Sequence, residues 1–296
     1  MDLQLEQLRT FVAVVDDGSF EAAARRLHVT PSAVSQRMKA LESTVGRVLI
    51  ERGKPARPTP SGRVVLRLAR QVALLATDAL RELGQDSAEP AEFSRIPIVV
   101  NSDSLNIWVL PALADAVRQR ICVDVYREDQ DHSAELLRRG TVMAAITSES
   151  RPVQGCSVRP LGRMSYRPMA SPEYVRTWLP EGPTPDALAR APMVVFDRRD
   201  DLQDCYLRRR SRREWNPPRS YLPSSGDFPE AIRLGLGWGM MPPQQIERCP
   251  AGSVVPIDPA AVVEVPLYWQ QWRLDSRPLG ILADSVASAA AAALDR

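Results

Sequence analysis

Ser32, Ser35, Gln36 and Lys39 lie at steps of three, one and three in a stretch opened by Thr30-Pro31 and closed by Gly46. On a helix those steps put all four side chains on one face. Each is short or flexible, and each donates or accepts hydrogen bonds. A glutamine amide can pair with adenine and a lysine ammonium can reach guanine, so this face suits the edges of bases in a major groove. Thr30, Pro31 and Arg37 flank it and join the expected DNA contacts.

The elements that must hold that face can be read from their signals. Val34, Met38, Leu41 and Val45 recur at steps of four, three and four, which buries the opposite side of the same helix. Thr30 caps its start, Pro31 takes the first helical position and Gly46 stops it. Upstream, Leu5, Leu8, Phe11, Val12 and Val15 predict a first amphipathic helix that ends at Asp17-Gly18. Ser19 then caps a short alanine-rich helix over 20–27, and His28-Val29 makes a tight turn. A short helix, a tight turn and a second helix with polar outward groups near its start is helix-turn-helix geometry. Val48-Leu49-Ile50 reads as a strand and 52–58 as a hairpin tip, a wing. Arg52, Lys54 and Arg57 on that wing are expected at phosphates or the minor groove, where they position more than they specify. The plainer alternative is a small helical domain with a solvated charged turn.

Charge distribution favours the first reading. The window 25–63 holds nine basic residues against Glu42 and Glu51, a net +7, whereas the whole chain is only +2 and the remainder therefore −5. A basic module on a mildly acidic body points to a polyanion at the N-terminal end. Thr59 and Pro60 next open a helix that reaches about residue 84. Val65, Leu68, Val72, Leu75 and Ala79 form an a/d seam of about two heptads along it, either a dimerising stripe or a face laid on its own domain. The polar segment 85–94, with Pro90, is then a hinge.

Beyond the hinge the pattern changes to alternating strands and helices. Strands are expected at 96–100, 122–126, 142–147, 193–196 and 238–241, and helices at 108–120, 133–139, 172–179, 201–209, 227–234 and 276–294. Such alternation predicts a largely parallel α/β sheet whose ligands bind beyond the carboxyl ends of its strands. The loops there carry Asn101, Ser102, Asp103 and Ser104, then Glu128-Asp129, then Thr147-Ser148, then Phe196-Asp197 with Asp200, Asp201 and Asp204. Hydroxyls and free N–H groups at a helix start suit a carboxylate, and the acids suit amines, so an amino acid with a cationic side chain fits both. The plainer alternative makes Asp103 an N-cap and the acidic run a solvated helix start.

Other classes find little support. The four cysteines, Cys122, Cys156, Cys205 and Cys249, form no CxxC pair, and with only His28 and His132 a zinc site is not expected. No GxSxG, HExxH, P-loop or strand–GxGxxG–helix motif is present, so neither an enzyme nor a cofactor is expected; Gly235-Leu236-Gly237-Trp238-Gly239 has the wrong spacing for one. The longest apolar run, 286–294, is too short to span a membrane, and residues 1–6 do not read as a signal peptide, so a cytoplasmic protein without a membrane partner is expected. An architectural DNA-binding protein without an effector remains the rival, but it would have little use for a second α/β domain.

Three blocks carry a family resemblance: Leu8-Arg9-Thr10-Phe11, then 18–27 (Gly-Ser-Phe-Glu-Ala-Ala-Ala-Arg-Arg-Leu), then 30–42 (Thr-Pro-Ser-Ala-Val-Ser-Gln-Arg-Met-Lys-Ala-Leu-Glu). With Thr59-Pro60-Ser61-Gly62, they closely resemble the LysR-type transcriptional regulators. Further on, Val100-Asn101-Ser102-Asp103-Ser104-Leu105 with Trp108, Leu137-Arg138-Arg139-Gly140, Val195-Phe196-Asp197, Met241-Pro242 and Leu267-Tyr268-Trp269 are similar to its lysine- and arginine-responsive ArgP/LysG branch. The chain departs from that branch at Ser102, where alanine is common, and at Gly226-Asp227, where a Glu-Ala pair is common. The resemblance implies an α+β protein: a winged helix-turn-helix at 1–59, a linker and dimerisation helix at 60–84, a hinge at 85–94 and a periplasmic-binding-protein-like effector domain at 95–296. It places lobe I at 95–164 and 266–296 and lobe II at 165–265, with crossover strands near 166–170 and 265–271. It implies double-stranded promoter DNA, RNA polymerase, a lysine or arginine effector (or another small molecule) and a homodimer or homotetramer as partners, in control of amino-acid export or metabolism genes. The effector residues expected are Ser102, Asp103, Ser104, Trp108, Glu128, Asp129, Thr147, Ser148, Phe196, Asp197 and Asp201.

Overall fold

The computed structural model describes residues 3–51, 53–82, 93–127 and 130–295. Arg52, Glu128, Asp129 and residues 85–92 of the expected hinge lie outside them, and Ser94 already opens a strand.

The N-terminal unit is three helices and a two-stranded wing: α1 (Leu5–Asp16), α2 (Phe20–Arg26), α3 (Pro31–Val45), β1 (Ile50–Glu51) and β2 (Arg57–Pro58). Ser19 Oγ accepts the Ala22 N–H at 3.1 Å and Thr30 Oγ1 the Ala33 N–H at 3.2 Å, so α2 and α3 both start at a hydroxyl cap. Leu8, Phe11, Val14, Ala23, Ala24, Val34, Met38, Leu41 and Leu49 share one buried core. Glu42 stitches α3 to the wing by accepting the backbone N–H of Leu49 at 2.8 Å. Thr59 caps the next helix through the Gly62 N–H at 2.9 Å and donates to the Val48 carbonyl at 2.8 Å. A Cβ on Gly62 would stand 2.0 Å from the Leu49 carbonyl oxygen, so only glycine allows this approach.

The helix that follows, α4 (Pro60–Glu82), belongs to two cores. Leu66 and Ala69 are buried with α1–α3, whereas Leu74 is buried with the C-terminal domain. Between them sits Arg70, only 5% exposed. Its Nη1 donates to the carbonyls of Gly140 (2.7 Å) and Thr141, and its Nη2 pairs with the Asp16 carboxylate of α1. Gly140, at φ +69°, lies so close that an added Cβ would be 2.3 Å from Arg67 Cβ. The expected seam is therefore divided: Val65 and Val72 pack against the N-terminal core, while Leu68, Leu75 and Ala79 face outward.

The C-terminal domain is built on two long crossover strands. Lobe I orders its strands β4–β3–β5–β11–β6, from β3 (Ser94–Val100), β4 (Ile121–Arg127), β5 (Ala144–Thr147), β6 (Cys156–Ala170) and β11 (Val263–Trp272). β3 runs parallel to β4 and β5, and β11 antiparallel to β5 and β6. Its helices are α5 (Ser102–Ser104), which continues through a π-helical turn (Leu105–Val109) into α6 (Leu110–Arg118), then α7 (Gln130–Arg138) and, after lobe II, α13 (Arg277–Ala293). Lobe II uses the far half of β6, flanked antiparallel by β9 (Gly239–Met241) and β10 (Val255–Pro256), with the parallel pair β7 (Met193–Val195) and β8 (Arg219–Tyr221) beyond. Its helices are α8 (Pro172–Trp178), α9 (Pro185–Arg190), α10 (Leu202–Arg210), α11 (Phe228–Arg233) and α12 (Pro243–Arg248). The first crossover is longer than the sequence predicts. Its early half carries Arg159, Pro160, Gly162 and Arg163 and shows no clean alternation of burial. The sheet is mixed, because both crossovers run antiparallel to their neighbours.

Arg70→Gln is expected to lower the unfolding free energy of the full chain by about 2–3 kcal/mol, because three oxygens lose a buried charged donor. Asp16→Asn should cost much less, since that carboxylate is about one-third exposed. Urea denaturation of the two variants would show the contrast; equal losses would place the main role of Arg70 elsewhere.

Candidate DNA interface and effector cleft

On α3, Pro31, Ser32, Gln36 and Lys39 are exposed and Ser35 is half-buried, while Val34, Met38 and Leu41 line the core behind them. The polar face is thus presented outward by a buried aliphatic stripe. Thr30 is also exposed, but its hydroxyl is occupied with the cap and with Ser32 Oγ at 2.8 Å. Arg37 departs from the sequence reading: it turns toward α1 and pairs with Glu6 at 3.1 Å. One residue on from Gln36, it is rotated about 100° away from the outward face. On the wing, Lys54 and Arg57 are exposed. The wing is tied to the α1–α2 turn by the Ala56 N–H, which donates to the Gly18 carbonyl at 2.7 Å.

A cavity of about 430 Å³ opens between the two lobes. Asn101, Ser102 and Asp103 of lobe I line one side, Tyr166 and Val265 of the crossovers the back, and Phe196, Asp197, Arg199, Asp200, Asp201 and Leu202 of lobe II the other side. That volume falls within the roughly 300–1,000 Å³ usual for small-molecule sites. Asn101, not Asp103, is the N-cap: its Oδ1 accepts the Ser104 N–H at 3.2 Å. Asp103 is instead a bridge, accepting from Tyr166 Oη at 2.8 Å and from Ser225 Oγ of lobe II at 2.7 Å. Burial and the adjacent Asp103 carboxylate push the Tyr166 phenol well above its ordinary range, so it stays a donor.

Asp200 is the residue that sequence reasoning underused. It lies in the acidic run, but nothing in the run marks it as different from its neighbours. In the fold it is folded back beneath the loop, its carboxylate accepting the N–H groups of Phe196 and Leu202, both at 3.1 Å. Burial pushes its carboxyl up to about 6; the two backbone N–H bonds pull it down, and the nearby Asp103 and Asp197 charges add to the rise. Asp201 lines the cavity from an exposed position and pairs with Arg208 at 2.9 Å, whereas Asp204 forks with Arg219 at 2.7 and 2.8 Å and serves structure.

Four expected effector residues are not brought to the cavity wall. Ser104 and Trp108 are buried on the inner face of the helix that starts at Ser102, which turns them into the lobe I core. Among the described residues, Ser104 Oγ and Trp108 Nε1 have no hydrogen-bond partner. Thr147 is buried at the end of β5 with its Oγ1 accepting the Glu149 N–H at 3.1 Å, and Ser148 beside it does not reach the wall. Tyr166 and Val265 were missed because the crossovers lack a signal tying them to a loop-lined cleft. Among the described residues no group of three or more His, Cys, Asp or Glu is placed to hold a metal, and no helix is long and apolar enough to cross a membrane.

A winged helix-turn-helix with an outward polar recognition face, joined by one helix to a two-lobed domain with a ligand-sized cleft, defines a ligand-responsive DNA-binding regulator. Comparison with known proteins agrees with that class. Residues 5–63 match the bacterial regulatory helix-turn-helix protein, lysR family, and residues 64–291 match the LysR substrate binding domain; the chain belongs to the LysR family of transcriptional regulators. It is 47% identical over 294 residues to the HTH-type transcriptional regulator LysG of Mycobacterium tuberculosis, covering 98% of this chain and 95% of that protein. The crystal structure of ArgP from Mycobacterium tuberculosis superposes with a TM-score of 0.85 at 44% identity over 99% of both chains. Full-length LysG from Corynebacterium glutamicum with bound effector Arg superposes with a TM-score of 0.73 at 37% identity, over 99% of this chain and 100% of that one.

Gln36→Ala is expected to weaken specific DNA binding by about 1–3 kcal/mol, with little change on non-specific DNA. Lys54→Ala should weaken both about equally and reduce the slope of log affinity against log salt by about one. Titrations on operator and scrambled duplexes at several salt concentrations test both; a uniform loss for Gln36→Ala would remove it from base readout.

Proposed function

We propose that this regulator senses a basic amino acid, arginine or lysine, in the cleft between its lobes and controls genes for amino-acid export or metabolism. The observation that carries the reading is the concentration of acid at the cavity wall. Asp103, Asp197, Asp200 and Asp201 converge on it and outnumber the Arg199 cation in the same wall, and Asp200 is held buried by two backbone N–H groups. A cationic side chain offsets the cost of keeping those carboxylates together. Ser102 and the helix start behind Asn101 suit the effector's α-carboxylate. The similarity to a regulator solved with arginine bound supports the same choice.

In this reading the outward face of α4, with Leu68, Leu75 and Ala79, pairs with a second chain, and two copies of α3 enter successive major grooves. Pairing of the sensor domains makes a tetramer, whose geometry on promoter DNA governs RNA polymerase. Effector binding acts only through its different affinity for the two arrangements.

Calorimetry of the full chain against L-arginine, L-lysine and L-leucine tests the proposal: binding by the first two and none by leucine is expected, and equal heats for all three would overturn it. The raised carboxyl of Asp200 adds a pH signature. It is partly protonated near pH 6, and a bound cation favours the ionised form, so binding should release protons there. Affinity should rise from pH 5.5 to 7 and level off above it, with heats that depend on the buffer near pH 6 but not at pH 8. A flat profile would separate Asp200 from the cation.

A further inference from the structure

The effector corner is carried by a helical stretch with an irregularity in it. After α5 the chain makes a π-helical turn at Leu105–Val109, where the carbonyl register widens to the fifth residue along. For Asn106 that fifth residue is Pro111, which has no N–H to give. The wide register thus offers the Asn106 carbonyl no donor at the fifth residue, and one arrives from the other lobe. Arg248, at the end of α12, places Nη1 3.3 Å from the Asn106 carbonyl oxygen and 3.1 Å from Asn106 Oδ1.

Arg248 does not act alone on α12. Gln244, four residues earlier and so on the same face, donates from Nε2 to the Ala293 carbonyl at the end of α13, 2.9 Å away in lobe I. Gln245 donates from Nε2 to the Ser225 carbonyl, and Ser225 Oγ in turn donates to Asp103. The helix itself is seated in lobe II by Ile246, packed with Phe228 and Met241. A six-residue helix thus holds lobe I at two points and steadies the serine that bridges a third.

We infer that Arg248 is a positioning residue for effector binding: its grip on the Asn106 turn keeps the lobes closed at the spacing the cleft requires, without touching the effector. The inference rests on the reading of the cleft as an effector site. When the latch is lost, a smaller fraction of molecules holds the binding-competent closure, and apparent affinity falls by that fraction. Arg248 is exposed, so the loss is modest. Asn106, Arg248 and Gln244 lie outside the cavity wall, so none of them supplies a ligand contact.

The test uses the full-length protein with L-arginine as probe. Arg248→Ala is expected to weaken L-arginine binding about fivefold, the size of one exposed charged hydrogen bond. Arg248→Lys, which keeps one donor, should recover part of it. Asn106→Ala should weaken binding less than Arg248→Ala and add little on top of it, because the backbone half of the latch survives. Hydrogen exchange without ligand supplies a second reading: in Arg248→Ala the segments 105–110 and 243–248 should both exchange faster, while β9 in the lobe II core stays protected. Unchanged affinity in Arg248→Ala, or unchanged exchange in 105–110, overturns the latch. If wild-type protein binds neither arginine nor lysine, the reading of the cleft fails instead, and the exchange comparison alone decides the latch.

Discussion

A single buried guanidinium joins the two halves of this protein. Removing a cation from water is costly unless its donors are satisfied, and Arg70 meets that condition only while α1 and the turn after α7 are both in place. Its carboxylate partner belongs to the DNA-binding unit and its carbonyl partners to lobe I. Neither unit can shift far along α4 without leaving the charge unpaired. The close seat of Gly140 on Arg67 and the division of α4's apolar residues between two cores enforce the same arrangement by contact. Motion of lobe I therefore has a stiff route to the helix that carries the recognition face. Whatever moves the lobe must also move α4 or strip the buried Arg70 guanidinium of its partners.

The cleft is organised by the opposite tension. Several carboxylates crowd a small volume between lobes and are kept there by hydrogen bonds, not by counter-charge alone. Tyr166 and Ser225 donate hydrogen bonds to Asp103, and backbone N–H groups hold Asp200. Those donors fix the acids in position while leaving their field directed at the cavity. Such a site is prepared for a cation before one arrives, which keeps the cost of rearrangement low.

How much of this was readable from sequence follows from how local each determinant is. The helix-turn-helix was legible almost residue by residue, because caps, Pro at N1, Gly46 and a clean apolar period are all short-range signals. The pairing of Arg37 with Glu6 was not legible, because Glu6 sits on another helix and no local pattern announces the pair. In the sensor domain five strands and the long helices were found, but β8, β10 and the early half of β6 were not, and short elements such as α9 and α12 carry too few residues for a period to show. Of the expected cleft loops, 102–104 is already helix and Glu128-Asp129 lie outside the described residues, and which residues face the void depends on helix phase. Starting the helix at Ser102 instead of near Trp108 turns Ser104 and Trp108 inward and leaves Ser102 and Asp103 at the wall. The seam on α4 was expected as one stripe and is divided in two, since a heptad pattern cannot say whether its partner is another chain or the same one.

Lobe I is assembled from two distant stretches, and this discontinuity has a consequence for biogenesis. Its inner strand β11 and covering helix α13 come after the whole of lobe II, and the backbone of Asp295 still pairs with Arg163 at 2.8 and 3.0 Å. A ribosome therefore releases a finished winged module long before the sensor can close its first sheet, because domains fold as units in the order they emerge. A chain interrupted within lobe II would carry the recognition face but lack the strand and helix that complete lobe I and its side of the cleft.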